Sequence, residues 1–250
     1  MLWLVFVLLA LSACHSTNTL VRYDYQNHPV NLLTDSITDE AYERILQPYK
    51  NKMSDELSEV ISFSDTSLIA YRPESPLSNF ISDLILKYGR NYAIENGLRL
   101  KVSFSLVNNG GLRTSLPAGK ITVRDIYELT PFENEPVLLR LKGEQVKELA
   151  DHITIRGGEG VGGIAFGMDG DIAVNIQIDN HPLAEDSVYW MITNDYIANG
   201  GDGMKVLTGA LERIDTGAKV RDLLIDELKK MKMKGETVSA KTDGRIYRVN

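Results

Sequence analysis

Three short segments of the chain carry residue types that could hold a small polar ligand. The first, Asn108-Asn109-Gly110-Gly111-Leu112-Arg113, follows an alternating apolar run. Its glycines let the backbone turn sharply and approach a ligand closely. The Asn108 amide and the Arg113 guanidinium offer hydrogen bonds of fixed geometry. The second, Thr130-Pro131-Phe132-Glu133-Asn134-Glu135, sets an aromatic ring in a polar turn. The third runs from Thr193 to Gly203 and sets Tyr196 beside a loop of Gly200, Gly201, Asp202 and Gly203. Aromatic rings stack on flat π systems, and a carboxylate accepts hydrogen bonds from hydroxyls. Each segment taken alone is also ordinary turn chemistry.

Common catalytic templates are absent from the 250 residues. There is no G-x-S-x-G elbow, no G-x-x-x-x-G-K-[ST] phosphate loop and no H-E-x-x-H zinc helix. Gly158 to Gly163 satisfies G-x-G-x-x-G, but the dinucleotide fingerprint needs a strand before it and a helix after it. Here the order is reversed, so the segment is expected to be a flexible turn. Asp169-Gly170-Asp171 lacks the rest of a calcium loop and is expected to join two strands. The histidines, His15, His28, His152 and His181, have no ligand partner at useful spacing and are expected at the surface. One cysteine, Cys14, permits neither an intrachain disulfide nor a Cys-based zinc site. No metal site is expected in this chain.

The elements that must position these segments read as a mixture of strands and helices. Helical spacing runs from Asp39 to Ile61, with Pro48 predicting a kink or two abutting helices. Phe63–Tyr71 reads as a strand. Ser75-Pro76 is a helix start, with Leu77, Phe80, Ile81, Leu84, Ile85 and Tyr88 on one face. Leu98–Val107 alternates like a strand, and Thr122 caps a short helix through Leu129. Strands are expected at 136–141, 164–166, 172–178, 188–193 and 244–249, and helices at 143–153 and 218–231. Irregular mixing of the two predicts one α/β (mixed α+β) domain. The composition, 43% hydrophobic and 24% charged, suits a sizeable core. The balance of 27 basic against 34 acidic residues, net −7, argues against a nucleic-acid polymer as partner.

Residues 1–13 are almost wholly apolar, too short to span a bilayer at about 20 residues and of signal-peptide length. Leu11-Ser12-Ala13-Cys14 resembles a bacterial lipobox, which implies lipidation of Cys14 and a membrane anchor on the cell envelope. Residues 14–34 read as a polar tether.

The three ligand-type segments, in this order, resemble the C-terminal domain of the 5′-nucleotidase family. That family carries N-G-G-G-[IL]-R, P-F-x-N and N-D-[FY]-x-A-x-G-G-D-G, preceded by a segment like Glu74-Ser75-Pro76-Leu77-Ser78-Asn79. The resemblance covers residues 35–250. It implies a layered α-β-β-α sandwich and a nucleotide-recognition site. In that site Phe132 and Tyr196 sandwich the base, Asp202 accepts from the ribose hydroxyls, and Asn108, Arg113 and Asn134 contact base edge or ribose. Gly110, Gly111, Gly200, Gly201 and Gly203 support the loops. An arginine before the glutamate of the first family segment corresponds to Arg72 with an offset of one position. Asn109 stands where the family has glycine, Ser78 replaces glycine before Asn79, and Tyr196 replaces a frequent phenylalanine. The family's metallophosphoesterase clusters, D-x-H, G-N-H-[DE] and G-H-x-H, do not occur together here. The resemblance therefore implies a stand-alone recognition domain for a nucleoside or nucleoside monophosphate. The catalytic centre, with its two divalent metals, is then expected on a partner metallophosphoesterase chain. A non-catalytic nucleoside-binding lipoprotein, for scavenging or sensing, is the alternative.

Overall fold

The computed structural model describes residues 22, 26, 27 and 39–249. The apolar leader, Cys14, His15, His28 and nearly all of the tether lie outside them. The chain divides into two units between Tyr49 and Lys50. Helix α1, Glu40–Leu57, crosses that division as one helix with Pro48 inside it, not as two abutting helices, and none of its residues is buried. Val60 and Ile61 continue its apolar spacing but belong to strand β1, Val60–Ser64. The spacing rule overran here because Ile61 is fully buried in the core from a strand. The expected strand to Tyr71 stops at Ser64. Beyond it the chain loops, with an isolated β-bridge where Leu68 meets Leu116.

Local capping explains the helix starts that follow. Helix α2 spans Pro76–Glu95. The Ser75 hydroxyl accepts from the Ser78 N–H, and Pro76 occupies the first turn, where its missing N–H costs nothing. Strand β2, Val102–Val107, is buried throughout. Strand β3 is Gly119–Thr122 and helix α3 is Val123–Leu129, opened by a reciprocal Thr122–Asp125 capping box. Strand β4 is Pro136–Lys142 and helix α4 is Gly143–Ile155. Strands β5 to β9 are Gly160–Gly162, Ile164–Asp169, Ile172–Ile178, His181–Pro182 and Val188–Asn194. Helix α5, Asp195–Ala198, strand β10, Glu212–Asp215, helix α6, Val220–Met233, and strand β11, Ile246–Arg248, complete the described chain.

The strands form three sheets: β1-β3, then β10-β4-β9-β2-β5, then β11-β6-β7-β8. The five-stranded sheet is covered on both faces. Leu138 and Ile192 join the core under α2, α3 and α6. Val137, Leu139, Leu141 and Met191 point the other way, into a second core with α4 and the four-stranded sheet. This alternation is what period-two geometry requires of a sheet buried on both sides. Each such side chain contributes about 1.5–3 kcal/mol when fully buried. The result is the mixed α/β domain that the sequence predicts, in the layered α-β-β-α form that the resemblance implies.

Gly158–Gly163 corrects an expectation. It holds buried strand β5, paired antiparallel with β2, and is not a flexible turn. A Cβ at Gly160 would lie 3.0 Å from Ser78 Cβ, so α2 rests directly on this strand. The glycines serve close packing, which in sequence looks the same as a loop. Asp169-Gly170-Asp171 does form the β6–β7 turn.

Candidate functional site

Strands β2, β9 and β4 are neighbours in the large sheet. Parallel pairing puts the last residues of β2 and β9 at the same end. Antiparallel pairing brings the first residue of β4 there too, with Pro136 opposite Asn194. The three ligand-type segments leave the sheet at this end. They enclose a cleft of about 370 Å³ lined by Asn108, Gly110, Gly111, Arg113, Phe132, Asn134, Tyr196 and Asp202. Clefts of roughly 300–1,000 Å³ suit small ligands. Phe132 and Tyr196 are 46% and 47% exposed.

Each wall is held by its own contacts. The Phe132 loop is clamped from two sides. Glu135 N–H donates to Asp195 Oδ1 (3.0 Å), and Val220 N–H donates to the Asn134 carbonyl (2.9 Å). Arg221 lies 4.1 Å over the Tyr127 ring and pairs with Glu133, holding that carboxyl below its ordinary pKa. Lys219 pairs with Glu135 (2.8 Å), which raises the lysine's pKa. Tyr196 stands on α5, which Asn194 caps by accepting from Ile197 N–H (2.8 Å). Gly200 precedes a 3-10 turn of Gly201, Asp202 and Gly203. A Cβ on Gly201 would lie 2.6 Å from the Tyr196 ring, so only glycine fits beneath it. Arg113 is anchored by its N–H to Leu129 O (2.9 Å) and reaches Gly110 O (3.2 Å).

Asp202 is the carboxylate of the cleft. Asn108 donates to its Oδ2 (2.9 Å), and the Tyr196 hydroxyl lies 3.3 Å from its Oδ1. Asn194 in turn donates to Asn108 Oδ1 (3.1 Å), fixing that amide. Arg72 is not brought to the cleft. It donates to Gly158 O (2.8 Å) and to Glu159 Oε1 (2.6 Å), contacts that hold it beside the start of β5. His152 is not a free surface residue: its Nε2 lies 3.0 Å from the Asp202 carbonyl. His181 is exposed, its ring beside Asp179 O. Sequence reasoning missed Asn194, Arg156 and Glu159. Asn194 carried a helix-cap signature, and Arg156 and Glu159 only an ion-pair spacing of three.

This lining does not suit a metal. Its one carboxylate already receives the Asn108 amide and lies 3.4 Å from Arg156, where a metal would need free lone pairs. Among the described residues no group of three His, Cys, Asp or Glu is placed to hold an ion. No described helix is long and apolar enough to cross a membrane.

Layered sheets, an outer helix layer and a loop-built cleft at one sheet end define a mixed α/β domain of the type found within solved 5′-nucleotidases. The 5′-nucleotidase precursor of Thermus thermophilus superposes with a TM-score of 0.69 at 28% identity, over 87% of this chain and 45% of that one. Haemophilus influenzae NAD nucleotidase shares the fold, with a TM-score of 0.61 over 85% of this chain and 42% of that one, at 20% identity. The 5′-nucleotidase, C-terminal domain family matches residues 58–209, and the chain belongs to that family. It is 29% identical to the trifunctional nucleotide phosphoesterase YfkN of Bacillus subtilis strain 168 over 92% of its own length, but spans 17% of that protein. It is 27% identical to the 5′-nucleotidase of Vibrio vulnificus over 84% of its length and spans 38% of that one.

Proposed function

We propose that residues 35–250 recognise the base and ribose of a nucleoside or nucleoside 5′-monophosphate. The base stacks between Phe132 and Tyr196, and the sugar hydroxyls bond to Asp202. Asn108, Arg113 and Asn134 contact base edge or ribose. The observation that carries this reading is the meeting of two half-exposed rings and one carboxylate in a single cleft. Stacking is worth about 1–3 kcal/mol per base and tolerates any base. An ionised carboxylate has about four acceptor sites; beside Asn108, Arg156 and the Tyr196 hydroxyl one remains, so a sugar diol takes that site and the one the Tyr196 hydroxyl, at 3.3 Å, gives up. The names of the relatives, nucleotidases and a nucleotide phosphoesterase, support the ligand class.

In this reading the phosphate points away from the chain's own residues. A metallophosphoesterase centre with two divalent metals, on a separate chain, hydrolyses it. Cys14, when lipidated, holds the domain at the envelope membrane.

Calorimetry with adenosine and AMP, followed by phosphate release with and without divalent metal, tests the division of labour. Binding without turnover by the purified chain is expected, with turnover restored by a co-purifying metallophosphoesterase. Robust hydrolysis by the isolated chain overturns the need for a second chain, and failure to bind either compound overturns the recognition site. Labelled palmitate incorporated by the wild type and lost in Cys14→Ala is expected of the anchor.

A further inference from the structure

Asp202 adopts a backbone conformation that must be held in place. Its φ of +54° lies in the left-handed region that residues other than glycine rarely enter. Its two peptide groups are pinned from both sides. The N–H donates to the Tyr196 hydroxyl (3.2 Å). The carbonyl accepts from Arg156 Nη1 (3.1 Å) and faces His152 Nε2 (3.0 Å).

Arg156 does more than hold that carbonyl. Its Nη2 lies 3.4 Å from Asp202 Oδ2, and its Nε donates to Glu159 Oε1 (2.9 Å). Glu159 is 1% exposed, a position where a carboxylate persists only when fully partnered. Its other partners are Arg72 (2.6 Å) and the backbone N–H of Asn109, 2.6 Å from Oε2. Asn109 follows Asn108, whose amide donates to Asp202 Oδ2. The contacts therefore close a ring: Asp202 to Arg156, to Glu159, to the Asn108–Asn109 turn, and back to Asp202. Neither Arg156 nor Glu159 lines the cleft.

We propose that Arg156, anchored by Glu159, is the positioning residue that aims the Asp202 carboxylate at the sugar hydroxyls, and so sets a preference for ribosides over sugars lacking them. The inference rests on the recognition of a nucleoside proposed above. Its physical basis is the planar fork of the guanidinium, which meets the Asp202 carbonyl, the Asp202 carboxylate and Glu159 at once. Arg156 makes those contacts from three separate nitrogens, whereas a lysine has a single one. The ring wall has support of its own besides its hydroxyl's contact with the Asp202 N–H, because Tyr196 stands on α5, which Asn194 caps. Loss of Arg156 is therefore felt more at the carboxylate, which it touches, than at the stacking surface, which it does not.

The test compares adenosine with 2′,3′-dideoxyadenosine in calorimetric titrations of wild type, Arg156→Gln and Glu159→Gln, with thermal unfolding run alongside. The wild type is expected to prefer adenosine. Arg156→Gln is expected to lose about tenfold or more in adenosine affinity, the scale of a charge-assisted hydrogen bond, while its dideoxyadenosine affinity holds. Arg156→Lys is expected to fall short of wild-type preference. Glu159→Gln leaves two guanidinium groups without their buried carboxylate and can fail to fold. Arg156→Gln, in which Glu159 keeps Arg72 and the Asn109 N–H, carries the test in that event. An unchanged preference in Arg156→Gln overturns the inference, as does an equal loss for both ligands, which would mark mere structural support. Absence of adenosine binding by the wild type overturns the nucleoside reading itself and the inference with it.

Discussion

Truncating Phe132 to alanine separates binding from stability, and the structure sets the size of each effect. Phe132 is 46% exposed and borders an open cleft. A core Phe→Ala change costs about 3–5 kcal/mol, part of it for the closed cavity left behind. Here about half the ring is already in water and no closed cavity forms, so the cost falls to about 1–2 kcal/mol. For a domain of this size that lowers the melting temperature by roughly 2–8 °C. Loss of a stacking platform costs about 1–3 kcal/mol of binding, or about 5- to 150-fold in Kd. Tyr196→Ala follows the same arithmetic, and Phe132→Ala/Tyr196→Ala should bind adenosine too weakly to measure by calorimetry while still unfolding cooperatively. Equal adenosine affinity in the wild type and the folded double variant refutes the stacking argument. A melting temperature lowered far beyond this range refutes the assignment of the rings to an open wall.

Two further outcomes test the packing of the domain. Gly97→Ala meets open space at a φ of +65° and should cost about 1 kcal/mol in urea unfolding, whereas Gly158→Ala, at a φ of +110° with a Cβ 2.2 Å from Pro73 O, should cost more than about 3 kcal/mol. Burial works to raise the Glu227 carboxyl, yet hydrogen bonds from Lys230 (2.8 Å) and Lys87 (2.7 Å) hold its pKa below the ordinary value. A lowered pKa stabilises the fold at neutral pH and ceases to do so as pH falls through the folded value. Glu227→Gln should therefore melt lower than wild type at pH 7, the two converging only well below about pH 4.

What was legible in the sequence was what local chemistry decides. Ser75-Pro76 and Thr122-Asp125 announce helix starts because caps act within four residues. Asn108, Arg113, Phe132, Asn134, Tyr196 and Asp202 were legible through the order of three segments, although nothing in a linear reading says that β9 lies between β2 and β4. What escaped depends on contacts across the chain. Glu159 sits amid glycines that look like a loop, and pairing with β2 under α2 makes that segment a buried strand. Arg156 looks like any charged helix end until the Asp202 turn folds over it. Val60 and Ile61 kept helical spacing because short apolar runs fit either period, and pairing with β3 decided the outcome.

The placing of β9 between β2 and β4 also fixes when the cleft can exist. Asn108, Arg113, Phe132 and Asn134 precede or join strands made early in the chain, while Tyr196 and Asp202 follow a strand made late. The early strands β2 and β4 are not paired with each other, and β9 must enter between them to join both. Until it does, the two sides of the cleft have no common frame. A chain still being synthesised up to β7 therefore carries most of the lining residues and no site. Long-range strand pairing of this kind is intrinsically slow. Occupancy of the cleft thus reports completion of the central sheet, and a ligand that spans both sides stabilises the strand insertion on which every layer of the domain depends.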